Sequence, residues 1–171
     1  MKSKRRRALS IIFLAITAAS TIVLARSTLN YMEFYTALKK LTLQLSNFGF
    51  SIEPNLVLIT VDSTIVNPTS YVGLELVSVS IALYFEADGE TVELTRDEFW
   101  YTTPKPLNPY LNITLKSSSS VSVNSISTQL FIKALEQGSI DWTLAPHVVL
   151  ATLIGPLGMS LDAVQFTYPS K

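Results

Sequence analysis

The sequence predicts a mainly β protein, an antiparallel β-sandwich with one short helix, preceded by a long amino-terminal transmembrane helix. Three observations predict this fold class. An uncharged apolar run at residues 8–25 follows a basic cluster. From residue 52 onward, stretches rich in Val, Ile and Thr alternate apolar with polar residues, and turn-forming residues separate them at short intervals. A length of 171 residues and an apolar content of 48% suffice for one folded domain and an additional segment.

The charges are unevenly distributed along the chain. Residues 1–7 hold five of the 13 basic residues, whereas residues 51–171 carry 5 basic and 12 acidic residues. A net acidic domain repels phosphates, so we expect no nucleic-acid partner. The chain contains no cysteine, which excludes disulfides, thiolate zinc sites and thiol nucleophiles.

The amino-terminal segment has the composition of a membrane anchor. Residues 1–7 form a basic tail, and residues 8–25 would make about 27 Å of helix, close to the ~30 Å hydrocarbon core of a bilayer. Thr17, Ser20 and Thr21 can bond back to their own helix and do not prevent insertion. The positive-inside rule retains the tail in the cytoplasm. We therefore expect a single-pass protein of the cell membrane with its carboxy-terminal domain outside.

Three interpretations of this segment remain open. It is an uncleaved signal anchor, or a secretory signal in which Val23 and Ala25 precede the cleavage site and the mature chain starts at Arg26. In the third, the stretch RRALSI resembles the signal of archaeal type IV pilins and archaellins, in which a basic and a small residue precede the cut and an apolar helix follows. That resemblance implies processing between Ala8 and Leu9 and an archaeal source.

Residues 26–49 are predicted to continue the helix as a stalk below a sandwich domain at residues 50–171. Apolar residues recur there at spacings of three and four, and Gly49 would end the helix. They are Tyr31, Phe34, Leu38, Leu41, Leu45 and Phe48. The stripe would pack on its own domain, lie at the membrane surface, or drive self-association through neighbouring helices.

The first half of the domain predicts strands joined by turns. Residues 55–66 form a strand that ends at a turn, Asn67-Pro68-Thr69-Ser70. The next strand changes phase between Leu76 and Val77, which predicts a β-bulge, and then alternates to Phe85. Asp88-Gly89 predicts a hairpin whose return strand is 91–94.

The second half predicts more strands around one helix. Residues 102–109 contain three prolines and are expected to be a surface connection, and Lys116–Ser120 is expected to be a loop. The remaining predicted elements are a strand at 111–115, a helix from 126 to 135 capped by Asn124 or Ser125 and ended by Gly138, strands at 140–144 and 147–154, a turn at 155–158 and a closing strand at 159–168.

Three of these stretches resemble the group 2 late embryogenesis abundant domain, also called the water stress and hypersensitive response domain. They are LVLITVDSTIVNPTSYVGLELVSVSIALYF (56–85), with its Asn67-Pro68 turn, FIKALEQGSIDWTL (131–144) and GPLGMSLDAVQF (155–166). The resemblance implies an immunoglobulin-like or fibronectin-like sandwich without catalytic residues, associated with stress protection or with binding at membranes.

The residues do not assemble a recognisable catalytic or metal-binding motif. His147 is the one histidine and is interpreted as a structural or surface residue, because no second histidine or cysteine is spaced to share a metal. The sequence contains no G-x-S-x-G element. Acidic residues between Glu86 and Glu98 are interpreted as a solvated face. We therefore predict a non-enzymatic protein without cofactor or metal.

Two candidate sites remain from the sequence. Phe99, Trp100 and Tyr101 form a candidate contact patch, unless they cap one end of the sandwich. Asn112 opens an Asn-Ile-Thr glycosylation pattern that would lie on the external side of the membrane.

Two functional hypotheses follow. The first is a membrane-anchored, non-enzymatic sandwich that binds or protects envelope components through an unidentified protein partner. The second is a pilin-like subunit that assembles into a filament through its amino-terminal helix.

Overall fold

The structure is a computed structural model that describes residues 2–138, 140–152 and 155–168, without the side chains of residues 2–6 and 8. The chain divides between Lys39 and Lys40 into two compact units. The first unit is helical, and the second contains the sheets. The predicted mainly β, antiparallel fold with a long apolar helix before it is confirmed.

Ten helices and strands follow one another in the described residues. They are α1 (Lys2–Lys40), β1 (Thr42–Ile52), β2 (Leu56–Val66), β3 (Glu75–Ala87), β4 (Glu90–Pro106), β5 (Asn112–Ser122), α2 (Ile126–Glu136), β6 (Ile140–Thr152), β7 (Gly155–Ser160) and β8 (Val164–Tyr168).

Two sheets build the second unit. A three-stranded sheet has the order β1-β2-β5, and a five-stranded sheet has the order β4-β3-β6-β7, with β8 also pairing with β6. All pairs are antiparallel. Each sheet buries one face and exposes the other, which produces the alternation seen in the sequence.

The predicted features of β3 are present. The register shifts between Leu76 and Ser78 against both β4 and β6, which is the bulge expected from the change of phase. Ala87 pairs with Glu90 across a two-residue loop in which Asp88 and Gly89 both have positive φ, of 51° and 81°. A two-residue loop with these angles matches the right-handed twist of the strands, so Asp-Gly here sets the register of the hairpin.

Strand β6 passes through Pro146 although it is an interior strand. β8 pairs with residues 140–144 of β6, and β7 pairs with residues 147–152. Pro146 therefore lies where β6 exchanges one partner for the other, and its carbonyl accepts a hydrogen bond from the Leu161 N–H at 3.0 Å. Pro146 is paired with Ile81 of β3, but its carbonyl points to the side of β7 and β8. Because neither of those two strands pairs with this position, the missing proline N–H on that side interrupts no ladder.

Helix α2 begins at the predicted residue and ends at Glu136, one residue later than predicted. The Ser125 hydroxyl accepts a hydrogen bond from the Thr128 N–H at 3.2 Å and so caps the amino terminus. Gln137 caps the other end, and Gly138 follows with a φ of 123°, a conformation that glycine adopts without strain.

Aromatic side chains fill one end of the space between the sheets. Phe48 of β1 contacts Trp142 of β6 and Phe166 of β8, each with ring centroids 4.9 Å apart. Phe131 of α2 joins this cluster at 5.4 Å from Trp142. The cluster packs both sheets and α2 against one another, and edge contacts between rings add to the free energy of burial.

The predicted helical stalk at residues 26–49 is wrong from residue 41 onward, and the domain begins earlier than residue 50. Helix α1 ends at Lys40, and Thr42–Ile52 is strand β1, paired along its length with β2. The register shifts between Leu45 and Asn47, so that Leu43, Leu45, Phe48 and Phe50 are paired with the inward-facing residues of β2. Gly49 lies within the strand.

Four further predictions from the sequence are wrong. Residues 102–106 belong to β4, which tolerates its prolines because it is an edge strand. Lys116–Ser120 belongs to β5 and pairs with β2 throughout. Residues 155–158 are not a turn but the first part of β7, and β6 is one strand in place of the two predicted. The end of the strand predicted at 147–154, residues 153 and 154, lies outside the described residues.

Candidate functional site

Helix α1 exposes an apolar surface long enough to cross a membrane. By length and composition, Leu9–Lys40 is a candidate membrane span, and residues 9–33 are all exposed. The hydroxyls of Thr17 and Thr21 donate to the carbonyls of Phe13 and Thr17, each at 2.9 Å, as the sequence predicted. Such bonds satisfy hydroxyl groups that would have no water partner in lipid.

The candidate processing position, between Ala8 and Leu9, lies within α1. Leu9 is exposed, and the side chain of Ala8 is outside the description. The helix runs through this position without a break, from Lys2 to Lys40. Processing therefore stays a prediction, and its product would begin with an uninterrupted apolar helix.

The three residues of the predicted contact patch do not share one surface. Phe99 pairs with buried Val79, and Trp100 pairs with Ser78 on the opposite face, because successive strand residues alternate. Phe99 and Tyr101 are half-buried, and burial raises the pKa of the Tyr101 phenol. Trp100 is 70% exposed and remains as the candidate contact residue.

Trp100 borders a shallow depression on the outer face of the five-stranded sheet. The depression has a volume of about 200 Å³, smaller than a typical small-molecule pocket. It is lined by Ser78, Val79, Ser80, Glu98, Trp100, His147 and Val149. Small serines on central β3 lie between larger side chains of β4 and β6, which produces the hollow.

The polar groups of this depression form separate short contacts. The Trp100 indole N–H donates to Glu98 Oε2 at 3.1 Å, and His147 Nδ1 lies 3.4 Å from Ser160 Oγ. The Ser80 hydroxyl is shielded from solvent and has no partner among the described residues. The exposed Trp100 ring and the Glu98 carboxylate suit a polar or aromatic contact. His147 contacts Ser160 and not Ser80.

Several acidic residues of β3, β4 and the loop between them have partners of their own. Asp88 pairs with Lys133 at 3.0 Å, and Asp97 accepts hydrogen bonds from Ser117 and Ser119. Within residues 2–138, 140–152 and 155–168, no cluster of three or more histidine or acidic side chains could hold a metal ion.

Glu93 forms a two-bond ion pair with Arg96 on the surface. The Nε–H of Arg96 donates to Glu93 Oε1 at 3.1 Å, and Nη2 donates to Oε2 at 2.8 Å and to the Tyr84 hydroxyl at 3.3 Å. The Arg96 hydrogen bonds lower the pKa of Glu93. The hydrogen bond with Glu93, with burial, raises the pKa of Tyr84.

The candidate glycosylation site is sterically open. Asn112 begins β5, an edge strand, and Asn112 and Thr114 are both exposed on the outer face of the three-stranded sheet. Alternation along the strand aims both side chains away from the core.

Sequence reasoning missed a group of exposed apolar residues in two neighbouring loops. Residues 67–74 join β2 to β3, and residues 107–111 join β4 to β5. Val72, Tyr110 and Leu111 are exposed in these loops. The signal that could have identified them is the absence of any charged residue from both loops.

Comparison with known proteins places the fold. No protein-family model and no curated protein matches the chain. The solution structure of At1g01470 from Arabidopsis thaliana is 15% identical, with 78% of this chain and 84% of that chain covered and a TM-score of 0.50. A crystal structure of a protein from Archaeoglobus fulgidus is 13% identical over 77% and 98% of the two chains, with a TM-score of 0.42.

A third solved structure is of a candidate late embryogenesis abundant (LEA) protein, At2g46140.1. It is 12% identical, with 88% of this chain and 87% of that chain covered and a TM-score of 0.44. At these identities the comparisons concern fold only, and the similarity to At1g01470 supports the β-sandwich.

Proposed function

We propose that the chain is a single-pass membrane protein that displays a non-enzymatic β-sandwich of the late embryogenesis abundant group 2 type outside the cytoplasm, where it binds or protects envelope components. The observation that carries the proposal is the exposed apolar surface of α1 directly before a folded sandwich.

The anchor has both the length and the flanking charges of a membrane span. A helix of about 20 residues crosses the ~30 Å hydrocarbon core, and Leu9–Lys40 exceeds that length. The five basic residues within residues 1–7 favour retention of the amino terminus in the cytoplasm. The sandwich is then external.

The sandwich has the character of a binding module. The fold similarity to At1g01470 supports a β-sandwich, and the three stretches that resemble the group 2 domain support a sandwich of that type. Its recognisable chemistry is the shallow depression beside Trp100, which offers contact area and a few hydrogen-bonding groups. Ligands are bound there by surface complementarity, and Trp100 makes the main contact, as aromatic residues often do at interfaces.

The absence of cysteine makes the proposal directly testable. Single cysteines introduced as Ser3→Cys and as Ser118→Cys, the latter exposed on β5, are treated in intact cells with a membrane-impermeant maleimide. We expect labelling at position 118 without permeabilisation and at position 3 only after it. The reverse pattern would overturn the orientation.

Anchoring itself is tested by extraction of the same membranes at alkaline pH. The unmodified chain should remain with the lipid. Leu14→Arg combined with Ile16→Arg should release it, because charges at the bilayer centre are costly. Leu14→Ile combined with Ile16→Leu is the matched control and should stay bound. A chain that is freely soluble without detergent would refute the proposal.

The alternative function is a pilin-like filament subunit. The observation that favours it is the unbroken course of α1 through the RRALSI stretch, since processing at Ala8 would leave an apolar helix at the new amino terminus.

A further inference from the structure

The two uncharged loops lie at the end of the sandwich where the chain enters it. Thr42, the first residue of β1, pairs with Val66, and Val66 pairs with Asn112. The loop 67–74 leaves β2 directly after Val66, and the loop 107–111 ends directly before Asn112. We call these two loops the entry pole.

The entry pole presents apolar side chains to solvent. Val72 is 71% exposed, Tyr110 is 70% exposed and Leu111 is 56% exposed. The sequences NPTSYVGL and LNPYL contain no charged residue, although the domain as a whole is acidic. At the adjoining strand ends, Glu75 and Lys105 carry opposite charges. The surface therefore presents apolar groups without a net charge.

The two loops are fixed to each other. The Asn67 side-chain amide donates to the Tyr71 carbonyl at 3.3 Å and to the Leu107 carbonyl at 3.1 Å, and the Asn67 N–H donates to the Leu111 carbonyl at 3.2 Å. The exposed tips are thus presented by a cross-linked pair of loops and not by two independent segments.

Tyr110 adds a sign of strain. Its φ is +56°, a conformation that a bulky residue seldom adopts, and its ring gains little burial within the chain in return. Backbone strain that the fold does not compensate locally is common at contact sites.

The opposite end of the domain has the reverse character. The turns at 53–55 and at Asp88-Gly89 and helix α2 meet there, since the Val123 N–H bonds to the Asn55 carbonyl and Lys133 pairs with Asp88. This far pole exposes five acidic residues: Glu53, Glu86, Asp88, Glu90 and Glu136. Such a surface is costly to desolvate.

The covalent distance from the membrane to the entry pole is short. About 20 helical residues cross the hydrocarbon core, so a span that begins at Leu9 leaves it near Thr28. The helical residues from there to Lys40 rise on the order of 18 Å, of which the headgroup layer takes roughly 5–8 Å. The covalent connection therefore limits the distance from the headgroups to the start of β1 to on the order of 10 Å.

We propose that the entry pole is a second membrane contact, in which Val72, Tyr110 and Leu111 insert into the interface of the bilayer that holds α1. This proposal rests on the proposed membrane anchor. A tyrosine between two aliphatic side chains suits the interface, where one end of the ring is apolar and the other is hydrated.

The test uses the full chain in phospholipid vesicles with single cysteines at Val72→Cys and Leu111→Cys, each carrying an environment-sensitive fluorophore. Ile126→Cys is the matched control, because Ile126 is an aliphatic residue that is 79% exposed at the far pole. Nitroxide-labelled lipids quench fluorophores that lie near the headgroups. We expect quenching at positions 72 and 111 at least threefold stronger than at position 126.

Flotation of the vesicles separates failure of this proposal from failure of the anchor. If the chain floats with the lipid and positions 72 and 126 are quenched equally, the membrane contact is refuted while the anchor stands. If the chain does not float, the proposed function fails and this inference with it. Far-ultraviolet circular dichroism of each labelled variant verifies that it is folded.

Discussion

Two asparagine–proline pairs lie in neighbouring loops of the sandwich, but only one of the two asparagines is buried. Asn67 is fully buried and uses its amide oxygen as well as its amide hydrogens, since Oδ1 accepts from the N–H and the hydroxyl of Thr69. Asn108 is exposed. The same dipeptide is thus part of a buried hydrogen-bond network in one loop and of a surface turn in the other.

Asn67→Asp should destabilise the domain by about 3 kcal/mol at neutral pH. The carboxylate cannot donate to the carbonyls of Tyr71 and Leu107, and it brings a buried charge next to them. Burial raises the pKa of the new carboxyl group, so the loss of stability should shrink as the pH falls and the group becomes neutral. Urea unfolding at several pH values measures it.

Asn108→Asp is the control, with an expected change within about 0.5 kcal/mol, because surface substitutions have small effects. Equal unfolding midpoints for the two variants would show that the Asn67 network does not stabilise the domain in solution.

The Glu93–Arg96 pair makes a prediction about pH. The pKa of Glu93 is lowered in the folded chain by Arg96, so the pair adds stability above the unfolded pKa of glutamate and loses it as the pH falls through the folded value. Because both side chains are exposed, the contribution should stay below about 1 kcal/mol. Arg96→Gln should raise the pKa of Glu93 in a carboxyl NMR titration. Lys116→Gln, on β5, should leave it unchanged, and an unmoved Glu93 pKa in Arg96→Gln would contradict the ion pair.

At the scale of elements, β1 shows why the helix boundary could not be read from sequence. Its inward residues are Leu43, Leu45, Phe48 and Phe50, and the bulge at Ser46 and Asn47 separates the second from the third by three positions. That spacing extends the pattern of three and four set by Tyr31, Phe34 and Leu38. Only pairing with β2, a contact distant in sequence, selects the strand.

Other elements were predictable because their signals are local. The bulge of β3, the Asp88-Gly89 hairpin and the Ser125 cap each depend on residues adjacent in sequence. The candidate sites divide in the same way. The exposure of Asn112 follows from alternation in a strand that was predicted. Trp100 faces away from Phe99 and Tyr101 for the same reason, but the return strand was predicted only for residues 91–94, and β4 extends to Pro106.

Asp97 closes the sandwich on the side where the two edge strands β4 and β5 meet. Its carboxylate accepts hydrogen bonds from the hydroxyls of Ser117 and Ser119. These serines belong to the segment Lys116–Ser120, which was predicted to be a loop from its composition. Asp97→Ala should cost about 1–3 kcal/mol of stability in urea unfolding, because two partly buried hydroxyls lose their acceptor. Asp97→Asn, which can accept from one serine and donate to the other, should cost less.

The adjacent Glu98→Ala removes an exposed carboxylate and serves as the control. If Asp97→Ala unfolds at the same urea concentration as Glu98→Ala, the bridge between the strands contributes nothing. An inward-facing charge on an edge strand also opposes pairing with other chains, so Asp97→Ala should aggregate at lower concentration.

At the scale of the whole molecule, the sign of the charge differs from one region to another. A basic cluster precedes the apolar helix, the entry pole is uncharged, and the far pole is acidic. Anionic headgroups would attract the basic cluster, tolerate the entry pole and repel the far pole. Both functional hypotheses are compatible with this distribution, because each begins with α1 in a bilayer.

The mass of the mature amino terminus separates the two hypotheses. A membrane anchor should begin at Met1 or Lys2 in protein purified from its native membrane, because the basic tail is needed to hold the orientation. A filament subunit should begin at Leu9, since removal of the basic residues frees an apolar helix to pack against copies of itself. Top-down mass spectrometry distinguishes them directly. A start at Arg26 would contradict both hypotheses, because the chain would then have lost the segment on which each depends.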